Sequence, residues 1–152
     1  MKTLVLGLGN PILSDDSVGF RVINEIRHRL NRPDVTVMEA ATGGLNLLDL
    51  LIDHDKAIII DAIKSTNRKP GEVYRLDPKD FDKTLHASSS HALNINTAIE
   101  LGKTLGLSMP QQIIIYAIEV LDTCTFSEQC TPEVEKAIPV TADMVIREID
   151  NI

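Results

Sequence analysis

The sequence predicts an α/β fold, a three-layer α/β/α sandwich around a mostly parallel five-stranded twisted sheet. Three observations carry that reading. Short runs apolar at every position, the pattern of strands covered on both faces, recur along the chain. Stretches with apolar residues every third or fourth position separate them, as crossover helices would. The 152 residues, 43% hydrophobic and without repeat or linker, suffice for one core, so a single domain spans 1–152.

Taken in order, Leu4 to Leu8 is the first strand, ended by Gly7, Gly9 and Pro11. Val18, Val22, Ile26 and Leu30 recur every four residues with Arg21, Glu25 and Arg29 opposite, which predicts the first helix. Val35 to Met38 alternates and reads as a strand. Leu45 to Ile52 follows Gly43-Gly44 as a shorter helix, and Ala57 to Ile60, closed by Asp61, is a buried strand. Val73 to Leu76, between Pro70-Gly71 and Pro78, lies nearer an edge. A helix from about Ala92 carries Ile95, Ala98, Ile99, Gly102 and Leu105, and Ile113 to Ile118 is the last strand. Pro132 opens a final helix, in which Pro139 either makes a kink or starts a second piece running to Ile149.

Composition narrows the function classes. The formal charge is −7 and no basic run exceeds Arg27-His28-Arg29, so nucleic acid is disfavoured as a partner. Apolar runs are too short to span a bilayer, and Asn10-Pro11 stands where a leader peptide would need small residues. Cys124 and Cys130 read as free thiols in a reducing compartment, which points to the cytoplasm.

Ligands of open parallel sheets gather beyond the carboxyl ends of the strands. Three segments should arrive there: the loop from Gly7 to Asp16, Asp61 at the end of its isoleucine run, and Ser88-Ser89-Ser90-His91 before a helix. Asp16, Asp61 and His91 together make a nitrogen–oxygen ligand set for a borderline divalent cation, with positions left open. The positive end of a helix dipole at His91 favours the unprotonated ring that a metal needs. Plainer readings stand beside this one. Ser14, Asp15 or Asp16 equally suits a helix cap, Asp61 a turn, and His91 a surface position.

Gly7-Leu8-Gly9 after a strand hints at a dinucleotide fingerprint, but Ile12 occupies the place of its third glycine. Ser90 and His91 are sequence neighbours without a nucleophile elbow, which argues against a serine triad. Cys124 and Cys130 lack the spacing of a zinc knuckle.

At these residues the chain resembles the hydrogenase maturation endopeptidases, which trim the C-terminal extension from the large subunit of nickel–iron hydrogenases. The resemblance runs along essentially the whole chain. It is most specific at Leu4-Val5-Leu6-Gly7-Leu8-Gly9-Asn10 and Asp15-Asp16-Ser17-Val18-Gly19. Thr42-Gly43-Gly44-Leu45 with Leu47-Leu48, Ile60-Asp61-Ala62, His91 and Thr131-Pro132-Glu133-Val134 extend it in order.

The resemblance implies a phosphorylase/hydrolase-like arrangement of the sheet and a metal-reading, aspartic-type endopeptidase. Its metal ligands map to Asp16, Asp61 and His91. The nickel arrives with the immature large subunit as the signal for cleavage; a surrogate divalent ion such as zinc or cadmium can take its place. Catalytic candidates are Asp16 and Asp61, with Glu39 as a third. Where the family commonly carries Asp-Gly-Gly-Thr, this chain has Glu39-Ala40-Ala41-Thr42, a longer acid on a stiffer loop. The implied partner is the hydrogenase large-subunit precursor, met by a monomer, with neither nucleic acid nor membrane involved.

Two other readings stand beside this one. A peptidyl-tRNA hydrolase-like esterase shares the Gly-Leu-Gly-Asn-Pro opening, yet would carry Thr-Arg-His-Asn where this chain has Ser14-Asp15-Asp16-Ser17. A non-catalytic metal- or nucleotide-binding module would share only the fold.

Overall fold

The structure, a computed structural model, describes residues 1–41, 45–65, 68–83 and 92–150, those at 45–46, 81–83 and 92–94 by backbone alone. Five strands form one sheet: β1 (Thr3–Leu8), β2 (Val35–Ala40), β3 (Lys56–Ile63), β4 (Val73–Leu76) and β5 (Gln112–Glu119). Their order is β2-β1-β3-β5-β4. All neighbours are parallel except β4, which runs antiparallel to β5 at the edge where its flanking prolines suit it. The helices are α1 (Val18–Arg29), α2 (Leu45–Leu51), α3 (Pro78–Lys83), α4 (Ala92–Thr104) and α5 (Pro132–Ile149).

Alternate residues of each central strand feed two cores. Val5, Ile58, Ile60, Ile114, Tyr116 and Ile118 meet α1 and α5 on one face. Leu4, Leu6, Leu8, Ala57, Ile59 and Ile115 meet α2 and α4 on the other. Full burial of each such aliphatic side chain stabilises the fold by about 1.5–3 kcal/mol, which is why these runs are apolar at every position.

The structure adds to or amends the sequence reading in three places. The short helix α3 lies between β4 and α4, where no helix is expected from the pattern; at its start Asp77 accepts the Asp80 N–H at 2.7 Å. Strand β3 does not stop at Asp61 but continues to Ile63, because Ala62 and Ile63 still pair with Ile118 and Glu119. Helix α5 runs through Pro139 as one element. That proline is exposed, so water can reach the carbonyl its ring leaves without a helical partner.

The sheet reverses its direction of growth between β1 and β3. From β1 the chain crosses outward to β2, then returns to build β3, β5 and β4 on the other side. Loops at such a switch point diverge and leave a crevice beyond the carboxyl ends.

Candidate functional site at the switch point

Helix α1 is set hard against the sheet at this point. A Cβ on Gly7 would lie 2.5 Å from the Gly19 carbonyl oxygen, and one on Gly19 would lie 2.4 Å from that of Leu8. Gly19, outside any fingerprint spacing, therefore supplies the close helix–strand approach that Ile12 cannot. Gly9 has φ +150°, and any side chain on it would strike the Asp16 carbonyl oxygen. The same oxygen accepts the Asn10 N–H at 3.1 Å, which closes the loop from β1 into a 3-10 turn over Ser14–Ser17.

Asp15 and Asp16 have different fates in that turn. Asp15 is fully buried. Its Oδ2 accepts the N–H groups of Leu121 and Asp122 at 2.9 and 3.0 Å. Its Oδ1 accepts the Thr131 N–H at 2.6 Å, and the Thr131 hydroxyl reaches both oxygens. Thus Asp15 is no helix cap: it bolts the β1 loop to the segment between β5 and α5. Helix α1 itself begins after Ser17 with no side-chain cap bond. Thr131 and Pro132 acquire a reason here, one as a donor to Asp15 and the other as the first residue of α5.

Asp16, half-buried, is the next residue on the turn. Asp61 is fully buried on β3, and its Oδ1 accepts the Ala62 N–H at 2.8 Å. Pairing between β1 and β3 ends at Gly7 with Ile60, so Asp61 is the first residue of β3 without β1 beside it. The 3-10 turn carrying Asp16 packs on β3. The turn that carries Asp16 and the end of β3 that carries Asp61 therefore meet at one edge of the sheet. His91, the third member of the expected metal set, lies outside the described residues, as do Ser88 to Ser90 and Thr42-Gly43-Gly44. Among the described residues no three acids, histidines or cysteines gather as a metal cluster.

Glu39 ends up elsewhere. It shares its strand face with Val35 and Val37, toward α1, and its carboxylate accepts Arg27 Nη1 at 3.0 Å. Asp61 shares its strand face with Ala57 and Ile59, toward α2 and α4. The two carboxylates leave the sheet on opposite sides.

The acid that sequence reasoning missed at this edge is Glu119. It is buried at the end of β5 and accepts the Ser65 N–H at 2.8 Å and the Ser65 hydroxyl. It thereby holds the chain leaving β3. The one signal for it is a charged residue closing an otherwise apolar run.

Nucleophile machinery is not built from the described residues. His28 and His54 bond through Nδ1 to the carbonyls of Asn24 and Ile52. Ser17 donates to the Ser14 carbonyl at 2.6 Å. Both cysteines are free; burial pushes the Cys130 thiol up, and Cys124 is exposed.

Comparison with known proteins supplies the family. The family model described as hydrogenase maturation protease matches residues 20–148. The chain is 27% identical over 148 residues to the hydrogenase 2 maturation protease of Escherichia coli strain K12, covering 96% of this chain and 89% of that protein. It is 28% identical over 146 residues to the hydrogenase expression/formation protein HupD of Bradyrhizobium diazoefficiens, covering 94% and 75%. The solved structure of the hydrogenase maturating endopeptidase HybD from E. coli superposes with a TM-score of 0.86 at 25% identity, covering 99% of this chain and 93% of that one.

Proposed function

The chain belongs to the hydrogenase maturation protease family, and on that premise we propose that it removes the C-terminal extension of a nickel–iron hydrogenase large-subunit precursor. In this reading Asp16, Asp61 and His91 grip the nickel that the precursor brings, so the metal is part of the substrate. The supporting observation is the switch point itself. It sets the turn that carries Asp16 on β3, and puts Asp61 where β3 outruns β1.

The chemistry is hydrolysis of a peptide bond. Water adds to the scissile carbonyl, the C–N bond breaks, and a proton passes to the departing amine. The substrate's nickel would polarise the carbonyl or make bound water more acidic. A carboxylate of this chain, Asp16 or Asp61, would take and return the proton, which is the sense in which the activity is aspartic-type. Glu39, held by Arg27 on the α1 side, would act through the path of the β2 edge rather than on the bond. A monomer meeting its precursor in the cytoplasm is the simplest setting.

The test is cleavage of a nickel-loaded large-subunit precursor, read by the mass of its C-terminus. His91→Ala and Asp61→Asn should each slow processing by about 100-fold or more while the circular dichroism spectrum is unchanged. Nickel-free precursor should stay uncut. Wild-type rates in the His91→Ala protein would remove the metal set from the proposal.

A further inference from the structure

The rim of the crevice is apolar where solvent-facing loops are ordinarily polar. Ile12 is 51% exposed, Leu121 53% and Phe126 80%. They come from two loops that the backbone knits together. Leu13 bridges Phe126 and Ser127; Ser127 N–H donates to Ile12 and Ser14 N–H to Ser127, both at 2.9 Å. Asp15 N–H donates to the Asp122 carbonyl at 2.9 Å, and Asp15 Oδ2 takes the Leu121 N–H. The exposed side chains therefore sit on a scaffold fixed by a buried carboxylate, not on free loop tips. Large apolar side chains held out to water on a rigid frame are what interaction surfaces look like.

Two features define the occupant. The surface adjoins the Asp16 turn, because the loop between β1 and α1 carries both Ile12 and Asp16, and Val120 N–H donates to the Ile63 carbonyl at 2.9 Å to keep the second loop on β3. Apart from the buried Asp15, the charged residues of 10–16 and 120–130 are Asp16, Asp122 and Glu128, and with Lys64 acting on Asp122 the balance stays acidic. Apolar side chains in an acidic surround complement a segment that is apolar and basic.

We propose that Ile12, Leu121 and Phe126 are the docking surface for an apolar, basic segment of the large-subunit precursor next to the bond that is cut. This rests on the function proposed above, and deepens it by naming where the substrate protein is held. The surface sets affinity and takes no part in bond making.

Initial cleavage rates against concentration of nickel-loaded precursor test it, with wild type, Phe126→Asp, Leu121→Asp and, at the opposite edge of the sheet, Leu105→Asp, whose side chain is 60% exposed. Phe126→Asp should raise KM by about 10- to 30-fold with kcat within about twofold, the signature of a lost hot-spot contact. Leu121→Asp should act in the same direction and Leu105→Asp should match wild type. Added salt should raise the wild-type KM. Should Phe126→Asp melt earlier than wild type, Phe126→Ala with the same readout decides. Wild-type KM in both rim variants, or a loss confined to kcat, overturns the docking surface and leaves the proposed function standing. Failure of wild type to trim the precursor at all sinks the proposed function itself.

Discussion

The molecule buries charge in two places and uses it differently. At the carboxyl edge, Asp15 is compensated by backbone N–H groups and one hydroxyl. Toward the other end of the sheet, Lys56 at the start of β3 and Glu148 near the end of α5 are both buried, their charged atoms 3.6 Å apart. Lys56 Nζ also donates to the Glu148 carbonyl oxygen. Glu148 Oε1 accepts Arg75 Nε and, at 2.9 Å, the Tyr116 hydroxyl. Side chains solve the problem there, and they fasten a helix end to the sheet. Backbone donors solve it at the rim, and so they dictate the course of two loops. The second solution uses no cation to compensate Asp15.

The contrast can be broken from either side. Asp15→Ala should be the most damaging change in the molecule, because it orphans the donors of Leu121, Asp122 and Thr131 together. A loss of about 4–6 kcal/mol by urea unfolding is expected. Asp15→Asn should not rescue it, since both carboxylate oxygens face donors and an amide nitrogen cannot accept. A variant with wild-type stability would mean that the rim is held by something other than this carboxylate.

Glu148→Ala should cost about 3–5 kcal/mol by stranding Lys56 in the core, with the crevice and its precursor cleavage unaffected in the protein that remains folded. Acid titration sharpens the point. Burial opposes ionisation of Glu148, but the hydrogen bonds from Arg75 and Tyr116 and the charges of Arg75 and Lys56 outweigh it and hold its carboxyl below the usual range. Its folded pKa being depressed, its stabilisation is complete above the unfolded value of about 4.3 and fades as pH falls through the lower folded one. Glu148→Gln should flatten that acid limb.

Tyr116→Phe should have the smallest effect, about 1 kcal/mol at neutral pH. Burial first, and then the hydrogen bond to Glu148, push the Tyr116 hydroxyl up to about 12. A raised phenol pKa means that the folded state keeps its proton longer than the unfolded chain. Stability contributed by Tyr116 is thus present below about pH 10 and lost as pH rises toward 12. In the phenylalanine variant the melting temperature should fall less steeply over that alkaline interval.

Much of this protein is written in local pattern. Unbroken apolar runs place β1, β3 and β5, alternation places β2, turn residues on either side place β4, apolar spacing of three and four residues places α1 and α4, and the sheet's parallel character follows from the alternation of strands and helices. The short α3 escapes such reading because Pro78 to Lys83 has no apolar period. The end of β3 escapes because a buried aspartate reads as a stop until its pairing with β5 is seen. Of the site, Asp16 and Asp61 are legible as acids after strands, whereas which of Asp15 and Asp16 turns inward is not.

By itself, then, the sequence determines the layers, the edge at which chemistry can gather and the family pattern, since these depend on the periodicity of apolar residues and on short contiguous motifs. Tertiary structure alone decides that Asp15 binds a loop more than a hundred residues away, that Glu39 turns to Arg27, and that Lys56 and Glu148 meet. Each of those pairings brings together groups that are distant along the chain or projected from opposite faces of a strand. Their energies depend on burial and direction, and a one-dimensional pattern carries neither.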